Sequence, residues 1–126
     1  MLRGLIGQAS YFVCLSAYEG FGLAAVEAMS AGLLPILSGI TPFRRLVQDT
    51  GAGLIVDPDE PASAAEQVLG TVVEDHANYI LRQAQTAAAV RHYDWNAVAA
   101  QYVKIYDEAS GAVERTPASR RVRLGT

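Results

Sequence analysis

Residues 11–31 read YFVCLSAYEGFGLAAVEAMSA. An apolar run with strand composition, Tyr11–Leu15, leads through a loop with two glycines into an alanine-rich helix predicted over Gly22–Ala31. Two further apolar runs, Leu34–Ser38 and Gly53–Val56, read as strands, with a helix predicted between them over Pro42–Asp49. No strand alternates polar with apolar residues, which is typical of a parallel sheet covered on both faces. The pattern predicts right-handed βαβ units.

The rest of the chain is predicted to be helical and then irregular. Helices are expected over Ala62–Glu74, over His76–His92, and from Trp95 to about Ala109 behind an Asp94 cap. Doubly wound nucleotide-binding folds use about six strands, whereas this pattern offers three. We therefore predict an α/β, three-layer half of a Rossmann-like domain over residues 1–110, with a short parallel sheet and C-terminal helices. Residues 111–126, with four arginines against one glutamate, are expected to form a basic flexible tail.

Composition limits the classes of function. The 126 residues suit one core, and a net charge of −3 gives no general attraction to nucleic acid. Cys14 is the only cysteine, so it is expected to be a buried structural thiol rather than part of a disulfide or zinc site. No run is long enough to span a bilayer, and the N-terminus does not resemble a signal sequence. A cytoplasmic location is expected, with attachment to the inner face of the membrane as an alternative.

Two glutamates flank the glycine loop. Between Gly20 and Phe43 the only ionisable side chain is Glu27, and Glu19 lies eight residues before it. An unpartnered carboxylate costs several kcal/mol to bury, so a lone one in an apolar stretch calls for a function. Ligands of open α/β sheets bind at the carboxyl ends of the strands, where Glu19 and the glycines are predicted to lie.

The predicted helix start is suited to an anion. The N–H groups of Gly22, Leu23 and Ala24 would lack intrahelical partners, and the helix dipole favours negative charge there. A diphosphate is therefore the expected ligand. Glu27 is about 7.5 Å further along the helix, at the margin of the predicted core stripe. There its two oxygens could bind a vicinal diol such as ribose. The expected stripe residues are Leu23, Val26, Met29 and Leu33.

These motifs resemble a known family. Residues 16–23 and 27–35, continued by 42–47, 53–59 and Asp94-Trp95, are similar to the signature of the group 1 glycosyltransferases, family 4 of the GT-B fold. The resemblance implies a retaining transferase that uses a nucleotide-diphosphate sugar as donor, with no metal and no cofactor. It assigns Glu19 to hydroxyls of the donor sugar, as the catalytic-site residue, and Glu27 to the ribose. The backbone amides of Phe21, Gly22 and Leu23 would contact the sugar and phosphate.

The chain also departs from that family. No acid follows the second strand in residues 39–45, where many relatives have Pro-Glu. The family's acceptor-binding domain and its phosphate-gripping basic pair are not found before Met1, so the acceptor, a sugar or lipid-linked sugar, would be bound elsewhere. A truncated, non-catalytic fragment or a nucleotide-binding module that needs a partner is therefore the alternative.

A remote alternative is a nicotinamide-dependent oxidoreductase. Residues 20–25 match the dinucleotide fingerprint G-x-G-x-x-A between a strand and a helix. That fingerprint expects an acid about 20 positions later for the ribose, and residues 38–43 contain none.

Other candidates have structural explanations. Arg44 and Arg45 are expected at a solvated helix start, and His76 and His92 on the surface, without metal spacing. The aromatic residues near the last helix are expected to pack rather than to form a sugar platform. They are Tyr93, Trp95, Tyr102 and Tyr106.

Overall fold

The computed structural model describes residue 4 and residues 6–72 and 75–114, with backbone alone for 112–114. Three strands alternate with two helices and are followed by a helical run. The strands are β1 (Tyr11–Cys14), β2 (Leu34–Ser38) and β3 (Leu54–Val56). The helices are α1 (Leu23–Ser30), α2 (Thr41–Thr50), α3 (Pro61–Val72), α4 (His76–Ala89) and α5 (Trp95–Glu114), with a short 3₁₀ turn at Arg91–Tyr93.

The three strands form one parallel sheet in the order β1-β2-β3. Val13 pairs with Ile36, and Ile36 pairs with Leu54, so these three side chains share one face. On that face Ile36 is buried, whereas Val13 in the edge strand is 59% exposed. Other residues therefore cover this face of the sheet fully over β2 but only partly over β1.

The opposite face of the sheet carries the core. Helices α1 and α2 both pack there, because their buried residues form one cluster with residues of β1, β2 and β3 that share this face. Met29 of α1, Leu37 of β2 and Phe43 of α2 are almost wholly buried at its centre. The buried cluster consists of Ala25, Val26, Met29, Leu37, Phe43, Leu46 and Val90.

Local chemistry fixes the helix ends. Gly22 precedes α1 and Gly51 follows α2, both in the left-handed region that favours glycine. The Asp75 carboxylate accepts hydrogen bonds from the first turn of α4. The predicted Asp94 cap of α5 is confirmed, since Asp94 Oδ1 accepts from Asn96 N at 2.8 Å.

The predicted fold class is confirmed: an α/β chain with a short three-stranded parallel sheet and helices after it. Residues up to Tyr93 form one compact unit, and α5 belongs to a second unit that begins at Asp94. Helix α5 continues to Glu114, past the expected boundary at residue 110, and residues 115–126 of the predicted tail lie outside the described residues. Among the helices of the described residues, none has the length and hydropathy to cross a membrane.

Candidate functional site

The candidate site is built on the loop that leaves β1 and enters α1, residues 15–22. Ser38, the last residue of β2, donates a hydrogen bond from Oγ to the Ser16 backbone oxygen at 2.6 Å. Ser38 is only 3% exposed, and a buried hydroxyl without such a partner would be costly. This bond ties the start of the loop to the neighbouring strand end.

Glu19 is placed in a recess by this loop. Its side chain is half-buried, and its Oε1 accepts a hydrogen bond from Ser16 Oγ at 3.3 Å. Glu19 lines a cavity of about 380 Å³ together with the turn that follows β2, including Gly39, Ile40 and Thr41. The carboxylate therefore lies at the carboxyl edge of the sheet, where ligands of open α/β sheets bind.

A larger cavity, of about 580 Å³, lies beside the first and touches the ends of all three strands. It shares Ala17, Gly39 and Ile40 with the Glu19 cavity, and neither Glu19 nor Glu27 lines it. Sequence reasoning missed this cavity, although charged residues directly after an apolar strand were a signal that could have found it. Its polar and charged lining residues include Ser38, Arg44, Asp57, Asp59 and Gln67.

Arg44 is fixed at the wall of the larger cavity. Its Nε donates to the Gly39 backbone oxygen at 2.6 Å, while the side chain remains exposed. A Cβ on Gly39 would lie 2.5 Å from Arg44 Nη2, so glycine at this position leaves room for the guanidinium. The expectation of a solvated Arg44 is thus correct, but the residue is also oriented.

The start of α1 is formed by the second glycine of the loop. Gly22 has φ 87° and is the N-cap, and no side chain of the described residues caps the helix. A Cβ on Gly22 would lie 2.7 Å from Cε1 of the buried Phe43 ring, closer than packed carbon atoms approach. Its backbone therefore approaches α2 more closely than any other residue type allows. Anion binding by the first N–H groups of α1 stays a prediction.

Phe21 in this loop is 53% exposed. Its ring meets Tyr93 edge-on, with centroids 5.5 Å apart, and both residues line a cavity of about 280 Å³ with Arg45. Burial raises the pKa of the Tyr93 hydroxyl above its ordinary value, the Asp49 carboxylate raises it further, and Arg45 opposes the shift. Tyr93 therefore keeps its proton at neutral pH and packs against the core, as expected.

The other three aromatic residues of that group differ from expectation. Trp95, Tyr102 and Tyr106 are largely exposed on α5, so their predicted packing is wrong within the described residues. Their helical spacing places them on one long helix, but spacing alone does not specify what a helix face contacts.

Glu27 is exposed on α1. The argument that a buried, unpartnered carboxylate demands a function is therefore wrong for this residue, because its charge remains in water. The predicted stripe is correct at Val26, Met29 and Leu33, but Leu23 is 52% exposed. Ala25 and Ala28 take its place in the interface, which rotates the buried face of α1 away from Leu23.

The structure brings Glu19, Phe21, Gly22 and Leu23 together in the single segment that joins β1 to α1, with Glu27 further along the same helix. Their assigned contacts with a donor remain predictions. Cys14 is half-buried, with Sγ 3.2 Å from Ser16 Oγ. Among the described residues, no group of three His, Cys, Asp or Glu side chains could hold a metal ion.

Comparison with known proteins agrees with the family resemblance found in the sequence. The family model "Glycosyl transferases group 1" matches residues 2–92. The GDP-mannose:cellobiosyl-diphosphopolyprenol alpha-mannosyltransferase of Komagataeibacter xylinus is 49% identical over 87% of this chain and 28% of its own length. The protein of the same name from Xanthomonas campestris is 46% identical over 94% of this chain and 31% of its own.

A second group of relatives is more distant. The phosphatidyl-myo-inositol mannosyltransferase of Mycolicibacterium smegmatis is 36% identical over 75% of this chain and 24% of its own length. The chain thus spans less than a third of the length of these curated relatives. The matched segment contains β1, the glycine loop, α1 and the rest of the first compact unit almost to its end, and on this ground the chain belongs to the group 1 glycosyltransferases.

Proposed function

We propose that this chain supplies the donor-binding side of a glycosyltransferase that takes a sugar from a nucleotide-diphosphate sugar, with GDP-mannose as the donor. The observation that carries the proposal is the position of Glu19. Its carboxylate lines a cavity at the carboxyl ends of β1 and β2, three residues before the uncapped, glycine-led start of α1. In this proposal the Glu19 carboxylate would accept hydrogen bonds from sugar hydroxyls, and the nearby start of α1 would bind the phosphate. The names of the relatives supply GDP-mannose as the donor to test.

The reaction that we propose needs little covalent chemistry from the protein. The bond between the sugar's anomeric carbon and the diphosphate oxygen breaks, and the diphosphate leaves with the electron pair. The N–H groups at the start of α1 would stabilise the charge that develops on this leaving group. The acceptor hydroxyl forms the new bond on the same face of the sugar, with retention, and transfers its proton to the departing diphosphate.

Glu19 and Glu27 have separate roles in this proposal. Glu19 would bind hydroxyls of the donor sugar, and the amides of Phe21, Gly22 and Leu23 would contact sugar and phosphate. Glu27, exposed and one to two turns into α1, would bind the ribose diol from the side of the helix. Its exposure fits a contact made only when the ligand arrives, because no group of the described residues bonds to the carboxylate.

Acceptor binding would depend on residues outside the segment that matches. Because the chain covers less than a third of its relatives' length, we propose that it binds the donor while a sugar or lipid-linked sugar acceptor is held by other residues. The incompletely covered face of β1, with Val13 exposed, favours the related proposal that a partner segment packs there before transfer occurs. The chain without that partner should show little turnover.

The test is calorimetric titration of the chain with GDP and with GDP-mannose. Glu27→Gln should weaken binding of both ligands about tenfold to a hundredfold, because it removes a hydrogen bond to a charged group. Glu19→Ala should reduce only the additional affinity that the mannosyl group provides. Glu66→Gln, which changes another exposed glutamate on α3, is the matched control and should bind like the wild type.

Folding must be measured on the same variants. Since Glu27 is exposed, Glu27→Gln should leave the free energy of unfolding within about 0.5 kcal/mol of the wild type. If Glu27→Gln bound GDP normally, the ribose contact would be wrong. A wild-type chain that bound neither ligand would contradict the donor-binding proposal as a whole.

A further inference from the structure

We infer that Ser16 is a positioning residue for Glu19, and that Ser38 holds Ser16 in place. This inference rests on the proposed function, because it concerns how Glu19 is prepared to bind a donor sugar. Ser16 Oγ donates to Glu19 Oε1 at 3.3 Å. The other carboxylate oxygen, Oε2, is then left for the ligand.

The Ser16 backbone is fixed to the sheet independently of its side chain. Ser38 Oγ donates to the Ser16 carbonyl oxygen at 2.6 Å, across 22 residues of sequence. Ser38 is buried at the end of β2, so its own position is set by the strand. The loop is therefore held just after β1, three residues before Glu19, rather than only at its two ends.

The Ser16 hydroxyl also has a second contact. Cys14 Sγ lies 3.2 Å from Ser16 Oγ. A hydroxyl has one proton to donate, and Ser16 uses it in the bond to Glu19. The lone pairs of the Ser16 oxygen then face the thiol, and Cys14 is the donor in that contact. The result is a chain of hydrogen bonds in which Cys14 donates to Ser16 and Ser16 donates to Glu19.

This chain of hydrogen bonds lowers the entropic cost of binding a ligand to Glu19. A free glutamate side chain has several rotamers, and a ligand that selects one of them must offset the lost freedom. A glutamate held by Ser16 has already lost that freedom on folding. Removing the Ser16 hydroxyl should therefore reduce the affinity gained from the sugar by about threefold to tenfold. The affinity gained from the nucleotide should not change.

The experiment compares GDP-mannose with GDP on the full chain as wild type, Ser16→Ala and Ser16→Thr. The measured quantity is the ratio of the two affinities. It should fall about threefold to tenfold in Ser16→Ala and return in Ser16→Thr, which keeps a hydroxyl. Ser30→Ala is the matched control, because among the described residues Ser30 Oγ donates within α1, to the Glu27 carbonyl oxygen. Its ratio should equal that of the wild type.

A second readout needs no ligand. Side-chain scalar couplings of Glu19, measured by NMR, should report one dominant rotamer in the wild type and averaging in Ser16→Ala. Ser38→Ala should show the same averaging, because it releases the Ser16 backbone. A lost fold would abolish GDP binding as well, so normal GDP affinity separates positioning from instability.

The outcomes distinguish the two proposals. If the wild type bound GDP and GDP-mannose equally, the proposed function would be overturned, and this inference with it. If the wild type preferred GDP-mannose and Ser16→Ala kept both that preference and a single Glu19 rotamer, only the positioning role of Ser16 would be overturned.

Discussion

Replacing Gly22 with alanine tests how the glycine loop is built. The substitution has two effects that can be separated. It forces a residue with a Cβ to adopt φ 87°, and it places that Cβ 2.7 Å from Cε1 of the buried Phe43 ring. Gly20→Ala is the matched control in the same loop. Gly20 has no positive φ, and no atom of the described residues lies within 4 Å of the point where an added Cβ would stand.

The expected magnitude follows from both effects. A non-glycine residue in the left-handed region costs about 1–3 kcal/mol, and overpacking against a fixed core ring costs about 1–3 kcal/mol more. Reduced freedom of the unfolded chain offsets about 0.4–1 kcal/mol. The net loss should be about 1–5.6 kcal/mol, against the 5–15 kcal/mol that is typical of a folded domain.

Urea unfolding measures this loss, and a double-mutant cycle assigns its cause. Phe43→Leu removes Cε1, so Gly22→Ala should cost less in the Phe43→Leu background by about 1 kcal/mol or more. The strain from φ should remain in both backgrounds. If Gly22→Ala unfolded at the same urea concentration as Gly20→Ala, the geometric reasoning about the loop would be refuted.

Two further predictions concern stability. Asp75→Ala should lower the free energy of unfolding by about 0.5–2 kcal/mol, because Asp75 Oδ1 caps α4 by accepting from Ala77 N and Asn78 N. Asp75→Asn should keep most of the cap. Equal urea midpoints for Asp75→Ala and Asp75→Asn would contradict this prediction. The raised pKa of Tyr93 means that the folded state holds the phenolic proton more tightly than the unfolded state, so stability should fall as pH rises above about 10. Tyr93→Phe keeps the ring and should reduce that fall, whereas an unchanged pH dependence would show that Tyr93 does not contribute.

Much of the fold could be predicted because its signals are local. Apolar runs without alternation gave the buried parallel strands, and Gly51 and Asp94 marked helix ends at the correct places. Glu19 could be placed at the carboxyl edge of the sheet because it lies in the loop that follows β1. In each case the residue that carries the signal also makes the contact.

The remaining features depend on contacts between distant residues. Periodicity placed Leu23 in the core stripe, but the direction in which α1 packs is decided by Phe43 and Leu37, which the helix sequence does not contain. Glu27 attracted attention as a lone charge among apolar neighbours, yet its exposure depends on which side of α1 the sheet covers. The bond from Ser38 to Ser16 joins residues 22 positions apart, and no spacing rule predicts it.

The edge of β1 has a practical consequence. Among the described residues β1 is an edge strand of the sheet, next to β2, so one row of its peptide groups lies along the outer edge of the sheet, beside the exposed Val13. Such a row is a template for cross-β growth. Concentrated samples of this polypeptide should oligomerise through that row, and a lysine in place of Val13 would be the first change to make for crystallisation or spectroscopy.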